Sequence, residues 1–276
     1  MFSCTIKKFG SWYYLKEPIS SYIDCVFVET YFSKKHNQRI SNRIVPDNTV
    51  ELILTDQKFE RRFSTKNNKS KILQSHFSGL KTSWQDIILE GSPTISIRFK
   101  PEKIFQLTGI HASELKNQAL DPRDVFGKHF LHFQDELFNL NTIIERLNLI
   151  QNYFTAKLKR INSQEDSLFL STKKYIDLME GNVKLKHLSN ELKVSQKTLE
   201  NKFNRFLGIA PKTYCRLIRF TSTIKKYNVS KIKLTNLAYQ NNFSDQSHFI
   251  KDVTQFTGYS PKKFFSQSKG VQEDIF

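Results

Sequence analysis

Glycine and cysteine are scarce in this 276-residue sequence, with nine and three residues, and no apolar run approaches the about 18 to 20 residues that a membrane-spanning helix needs. So few glycines leave little room for phosphate-cradling loops, and neither GxSxG nor HExxH occurs. Cys4, Cys25 and Cys215 form no CxxC pair and have no metal-ligand spacing, so they read as core or strand residues in a reducing compartment. The N-terminus, Met1 to Lys8, lacks the continuous apolar segment of an export signal. These absences predict a cytoplasmic, non-enzymatic protein with no cofactor, no metal and no membrane partner. Acidic residues are also few, 26 against 43 Lys and Arg, for a net charge of +17.

That charge is not evenly spread. Residues 171–270 hold 19 Lys and Arg against 6 Asp and Glu, so +13 lies there, with +6 in residues 1–170 and −2 in the last six. A basic half of this kind is an electrostatic footprint for nucleic acid. The same half is internally repeated. A shift of 50 pairs Leu199 with Phe249, Phe203 with Val253, Phe206 with Phe256, Gly208 with Gly258, Pro211 with Pro261 and Tyr214 with Phe264. Upstream, a shift of 49 pairs Leu185 with Leu234 and Leu188 with Leu237, which puts one extra residue in the second turn.

Each copy spells a helix, a tight turn and a second helix. The leading helices are expected at Leu185–Leu192 and Leu234–Gln240. Ser195 and Asp245 are matched and stand where the second helices start, as preferred N-caps. Apolar residues at 199, 203 and 206, and at 249, 253 and 256, make one buried stripe in each. Gly208 and Gly258 stop the helices, and Pro211 and Pro261 begin new ones. Two helix-turn-helix units result. Their second helices offer Gln196, Lys197, Glu200, Asn201 and Arg205, and Gln246, Ser247, Ile250 and Lys251, on the side away from the stripe. Amides, hydroxyls and cations are what a DNA major groove recognises.

On these residues the C-terminal half resembles the DNA-binding domain of AraC/XylS-family bacterial transcription regulators. The run Phe243-Ser244-Asp245-Gln246-Ser247-His248-Phe249 with Lys251, Phe256, Gly258, Pro261 and Phe264 is similar to the family signature. The first copy matches at Leu188, Ser195, Leu199, Phe203, Gly208, Pro211, Tyr214 and Arg219. The two copies depart where the family usually has Ala (Ser189) and Arg (Asn201) in the first, and Gly (Asn242) and Arg (Lys251) in the second. Asn tolerates a left-handed turn, whereas Asn201 removes a long cationic arm from the first reading helix. The resemblance implies a sequence-specific transcription regulator, an activator or a repressor, with RNA polymerase as partner, on double-stranded operator DNA.

The first hundred residues carry strand patterning at Ile19–Thr30, Thr49–Thr55, Lys71–Phe77 and Thr94–Phe99, which predicts a β-rich barrel or sandwich. In the last of these, Arg98 falls on the face opposite Ile95, Ile97 and Phe99. It is a weak candidate for holding an anionic ligand, and a solvent-facing strand position is the plainer alternative. From Pro101 the period turns helical, with Gly109 closing the first helix and another at Ser113–Asn117. A longer helix, about Thr142–Lys159, opens with a capping box, Thr142 and Glu145, and carries the stripe Ile143, Leu147, Ile150, Phe154 and Leu158. It is expected to pack on the β-domain or to form a dimer contact.

The segments Arg43–Ile53, Ile97–Pro101, Leu107–Ile110 and Asp124–Gly127 are similar to an uncharacterised sensor-like domain that precedes this DNA-binding domain in other chains. By analogy with cupin-like barrels this implies small-molecule sensing or homodimerisation. A metal-dependent cupin is poorly matched, because His36, His76, His111, His129 and His132 are scattered. The last two are expected on a surface turn. The expected organisation is therefore α+β and two-domain: a β-rich, cupin-like domain with packed helices at 1–156, a linker at 157–166, an all-α DNA-binding domain at 167–270 and a tail at 271–276.

The helix expected from Pro211 to Lys226 spans roughly 24 Å at 1.5 Å per residue. With its flanking turns it could bring both reading helices to successive major grooves about 34 Å apart. Lys197, Lys202, Arg205, Lys212 and Lys251 would meet phosphates or base edges. The competing reading is a non-specific or architectural nucleic-acid binder, whose affinity would be almost entirely counterion release.

Overall fold

A computed structural model describes residues 2–7, 10–29, 39–56, 58–63, 70–90, 94–159, 165–230, 234–241, 243 and 245–267. Half of the expected linker (160–164), the tail, His36, Asn242 and Ser244 lie outside them.

The protein has the expected α+β architecture, a β-rich N-terminal region followed by helices. Its strands are β1 Ser3–Lys7, β2 Gly10–Tyr14, β3 Ile23–Glu29, β4 Arg39–Ile44, β5 Val50–Leu54, β6 Phe59–Phe63, β7 Ser70–Leu73, β8 His76–Ser78, β9 Gln85–Glu90, β10 Ile95–Phe99 and β11 Ala119–Leu120. They form two antiparallel sheets, one ordered β1-β2-β3-β10-β5-β8-β11 and one β4-β9-β6-β7.

The strand patterning captured β5 and β10 and mistook two others. Ile19–Ser21 is a 3-10 turn, and the strand starts only at Ile23. The run expected as one strand, Lys71–Phe77, is two, because the chain crosses between the sheets at Gln74 and Ser75. That crossing is held to the end of β5: the Thr55 amide donates to Ser75 Oγ (3.1 Å), and Gln74 Nε2 donates to the Asp56 carbonyl (2.8 Å).

One face of the larger sheet is apolar. Val50, Leu52, Leu54, Phe77, Ile95, Ile97 and Phe99 are buried there, against helices that follow β10. These are α1 Ile104–Thr108, α2 Ala112–Leu115, α3 Pro122–Phe126, α4 Phe130–Asn139 and α5 Ile143–Leu158. The ring of Phe99 lies 5.4 Å from Phe154 of α5 and 6.1 Å from Phe77. Helix α5 thus packs on the β-domain, its stripe residues Leu147, Ile150 and Phe154 fully buried, and its capping box is present in full. Each such side chain contributes about 1.5–3 kcal/mol. His129 is in the turn before α4, whereas His132 lies within the helix.

The face turned to the second sheet is polar. Arg61 of β6 is 1% exposed and reaches across to β8, where its Nη1 donates to His76 Nε2 (2.6 Å) and its Nη2 to Ser78 Oγ (3.1 Å). Arg98 therefore does not face solvent: its side chain is 12% exposed, with Nε 3.0 Å from Glu51 and Nη2 3.9 Å from Asp47. Strand periodicity separates the two faces of a strand. It does not tell whether the second face meets water or another sheet.

The C-terminal helices are α6 Ser167–Leu178, α7 Leu185–Glu191, α8 Gln196–Leu207, α9 Pro211–Ser230, α10 Leu234–Gln240, α11 Gln246–Thr257 and α12 Pro261–Gln267.

Candidate nucleic-acid interface

The two helix-turn-helix units are α7–α8 and α10–α11. Local chemistry starts and stops their second helices in the same way. Ser195 Oγ accepts from the Thr198 amide (3.0 Å), and Asp245 Oδ1 accepts from the His248 amide (2.7 Å). Gly208 and Gly258 close the helices at φ +73° and +72°, the left-handed conformation that side chains disfavour. Leu199, Phe203, Phe206 and Leu207 are buried on α8, and Phe249, Val253, Phe256 and Thr257 on α11. Tyr214, at the start of α9, is buried under the first unit; its hydroxyl donates to Asp177 Oδ1 (2.6 Å), and burial together with that carboxylate pushes its pKa well above the usual phenol value.

All nine expected reading residues are exposed: Gln196, Lys197, Glu200, Asn201 and Arg205 on α8, and Gln246, Ser247, Ile250 and Lys251 on α11. They are not equally free. Lys197 Nζ is 3.8 Å from Glu200 of its own helix. The guanidinium of Arg205 lies 4.5 Å from the Phe105 ring, on α1 of the N-terminal domain. Lys202, also expected near phosphates, is paired with Asp166, the N-cap of α6.

Contacts with the N-terminal domain reach both units at the same place, the C-terminal end of the second helix. In the first unit, Phe206 meets Phe105 edge-on at 5.7 Å. A Cβ on Gly208 would lie 2.3 Å from the Ala112 carbonyl oxygen, so only glycine allows this approach. In the second, Arg43 of β4 is held between two rings, 3.7 Å from Trp84 and 4.2 Å from Tyr259. Its Nε and Nη2 donate to Asp86 (2.7 and 2.8 Å), and its Nη1 donates to the Thr257 carbonyl (3.2 Å). A cation at a helix C-terminus also meets the negative end of the helix dipole. Nothing in the local sequence around Arg43 signals this contact, because its partners are 41, 43, 214 and 216 positions away.

The polar layer of the N-terminal domain is the setting of Arg98. Lys81 Nζ is 3.4 Å from Glu51 and 3.8 Å from Asp47, and both carboxylates also face Arg98. Burial alone would raise the Glu51 carboxyl, but Lys81, Arg98 and Arg61 outweigh it and bring its pKa down to about 2. Burial, and then the Arg61 cation, depress His76 to about 3. Arg98 is thus already paired within the fold. Burial pushes the thiols of Cys25 and Cys215 up to about 12 and 11, which keeps both protonated and unreactive. Among the described residues no group of three His, Cys, Asp or Glu side chains stands close enough to hold a metal, and no helix is long and apolar enough to cross a membrane.

Residues 188–267 match a helix-turn-helix domain family, and residues 16–121 match a domain of unknown function, DUF6597. No curated protein matches the sequence. Among solved structures, ToxT from Vibrio cholerae is similar at 14% identity and a TM-score of 0.47, covering 85% of this chain and 100% of that one. Unsaturated fatty acid-bound ToxT from Vibrio cholerae strain SCE256 is similar at 13% identity and a TM-score of 0.46, covering 89% and 95%. The AraC-like transcriptional activator CuxR is similar at 12% identity and a TM-score of 0.32, covering 79% and 80%.

Proposed function

We propose, for a chain that carries an AraC-type helix-turn-helix domain over residues 188–267 and is a DNA-binding transcription regulator, that one molecule reads two DNA half-sites with α8 and α11 while its N-terminal domain governs how those helices are presented. The observation that carries this reading is the pair of identically capped, identically closed helices whose nine polar or groove-compatible residues are all exposed. Helix α9, 20 residues long, spans about 30 Å between the units. That length suits reading helices entering successive major grooves on one face of the duplex.

In this reading Gln196, Asn201, Gln246 and Ser247 hydrogen-bond base edges, Glu200 accepts from cytosine, and Ile250 meets a thymine methyl. Lys197, Arg205 and Lys251 contact phosphate or guanine. The contacts at Gly208 and Arg43 support a modulating role for the N-terminal domain, since both units are engaged by it and Arg205 is turned toward Phe105. The proposal includes a small effector held by that domain, RNA polymerase as a partner, pairing of two chains on adjacent sites, and action in the cytoplasm. An anionic effector reaching Arg98 would compete with Glu51 and Asp47 for it.

The +13 charge of residues 171–270 supports a second reading, a non-specific binder. Selection of bound duplexes from a random pool at physiological salt, with the full chain, separates the two. Enrichment of two short blocks about one helical turn apart is the expected result. Binding that enriches no sequence and fades steeply with salt would establish the non-specific binder instead.

A further inference from the structure

The two copies of the repeat share a contact that their local sequences disguise. Lys202 of α8 and Asp252 of α11 are matched positions, 50 residues apart, and so are their partners, Asp166 and Arg216. In the first unit the cation is on the reading helix and the carboxylate is the N-cap of the helix that precedes the unit, α6. In the second the carboxylate is on the reading helix and the cation is on the preceding helix, α9: Arg216 donates to Asp252 Oδ1 from Nε (3.0 Å) and Nη2 (2.6 Å), and from Nη2 to Gln255 (2.6 Å). Both pairs bridge 36 residues. The same strut is built twice with its charges exchanged.

The exchange has a physical consequence. Cross-pairing would set Lys202 against Arg216 and Asp252 against Asp166, like charge against like, which disfavours either reading helix anchoring on the other unit's supporting helix. The second strut is the drier one, with Asp252 1% exposed and Arg216 lying 5.6 Å from the Phe256 ring. Two guanidinium N–H groups meeting one oxygen of a buried carboxylate, whose other oxygen lies 3.5 Å from His248 Nε2, leave the contact a narrow geometry. Each strut therefore fixes the angle between a supporting helix and the reading helix that crosses it, and α9 carries the second angle back to the first unit: Arg219, on α9, donates to the Gly181 carbonyl (3.0 Å) in the turn before α7.

We propose that the charge-exchanged struts, Asp166–Lys202 and Arg216–Asp252, determine which half-site spacing this chain accepts. Asp166, Arg216 and Asp252 are positioning residues: they act on the separation and phase of the reading helices and touch no base. The inference rests on the two-half-site reading above.

The test is selection from a random duplex pool with the full chain and with Asp252→Asn and Asp166→Asn. Both changes remove the charge and keep the shape, and Asn still caps α6. The parent is expected to enrich two blocks at one spacer length. Each variant is expected to enrich the same two blocks, with the spacer spread over neighbouring lengths and the parental length no longer dominant. Retention of one parental spacer by both variants, at whatever affinity, would overturn the proposal, because a strut that only adds stability lowers affinity without changing spacing. If Asp252→Asn does not fold by circular dichroism, Arg216→Lys, which keeps a cation for the buried carboxylate but loses the two guanidinium bonds to it, takes its place with the same expected and overturning results. A parent that enriches no paired blocks sinks the two-half-site reading itself, and the proposal with it.

Discussion

Acidification from pH 7 to pH 5 should remove a stabilising contribution that one side chain, His76, makes to the N-terminal domain. Arg61 Nη1 donates to its Nε2 (2.6 Å), and its Nδ1 faces the Gln74 carbonyl (2.9 Å). The folded ring is therefore neutral, with its proton on Nδ1. Protonating Nε2 would set an N–H and a second positive charge against the guanidinium. Burial and that cation hold the folded pKa at about 3, against 6.5 in the unfolded chain. The folded pKa is depressed, so this contribution is fully present above pH 6.5 and is lost as pH falls from 6.5 toward 3. By proton linkage the loss reaches about 2 kcal/mol at pH 5 and about 5 kcal/mol once both states are protonated. Glu29 acts in the opposite sense: burial raises its carboxyl to about 7, so its penalty is relieved as pH falls from 7 toward 4.5. The parent's total change can thus be small, and the His76 share appears only by difference. Urea unfolding followed by tryptophan fluorescence reads this domain, which contains both tryptophans, Trp12 and Trp84. Between pH 7 and 5 the parent should lose about 2 kcal/mol more than His76→Gln. Equal losses in the two proteins would refute the neutral, Arg61-bound histidine.

Gly109→Ala and Gly208→Ala impose the same left-handed strain, about 1–2 kcal/mol, but only the second places a Cβ 2.3 Å from the Ala112 carbonyl oxygen, nothing lying within 4 Å at Gly109. Gly208→Ala should therefore cost more in the full chain, and equal costs would show that the first unit does not rest on residues 112–113. Arg43→Ala removes the ring sandwich and the Thr257 contact, together about 1–2 kcal/mol. It should shift Trp84 emission and raise affinity for the selected operator up to about tenfold, whereas unchanged affinity would mean the contact does not restrain the second unit. Gln246→Ala and Lys251→Ala should each weaken operator binding by about 1–3 kcal/mol at fixed salt with little change in melting temperature; parental affinity in either would remove α11 as a reading helix.

The sequence alone determined the duplicated helical half, because everything that starts, orients and stops those helices acts within a few residues. Ser195 and Asp245 cap over three positions, the apolar stripe repeats at three and four, and Gly208 and Gly258 need only their own backbone angle. For the same reason the nine exposed residues of α8 and α11 could be named from spacing. Two helix-turn-helix units and a basic surface followed from local rules and a charge count. The N-terminal half was legible only in outline. Strands such as β6, with the sequence Phe-Glu-Arg-Arg-Phe, look solvated until a second sheet covers them, so the burial of Arg61 and Arg98 depended on pairing between sheets. Tertiary structure also gave the closing glycines a second role, since Gly208 and Gly258 lie where a side chain would strike Ala112 or Trp84. The struts at Asp166 and Arg216 and the Arg43 contact join residues 36 and 214 positions apart. Contacts at that range depend on the whole packed chain, and no periodicity in a short window reports them.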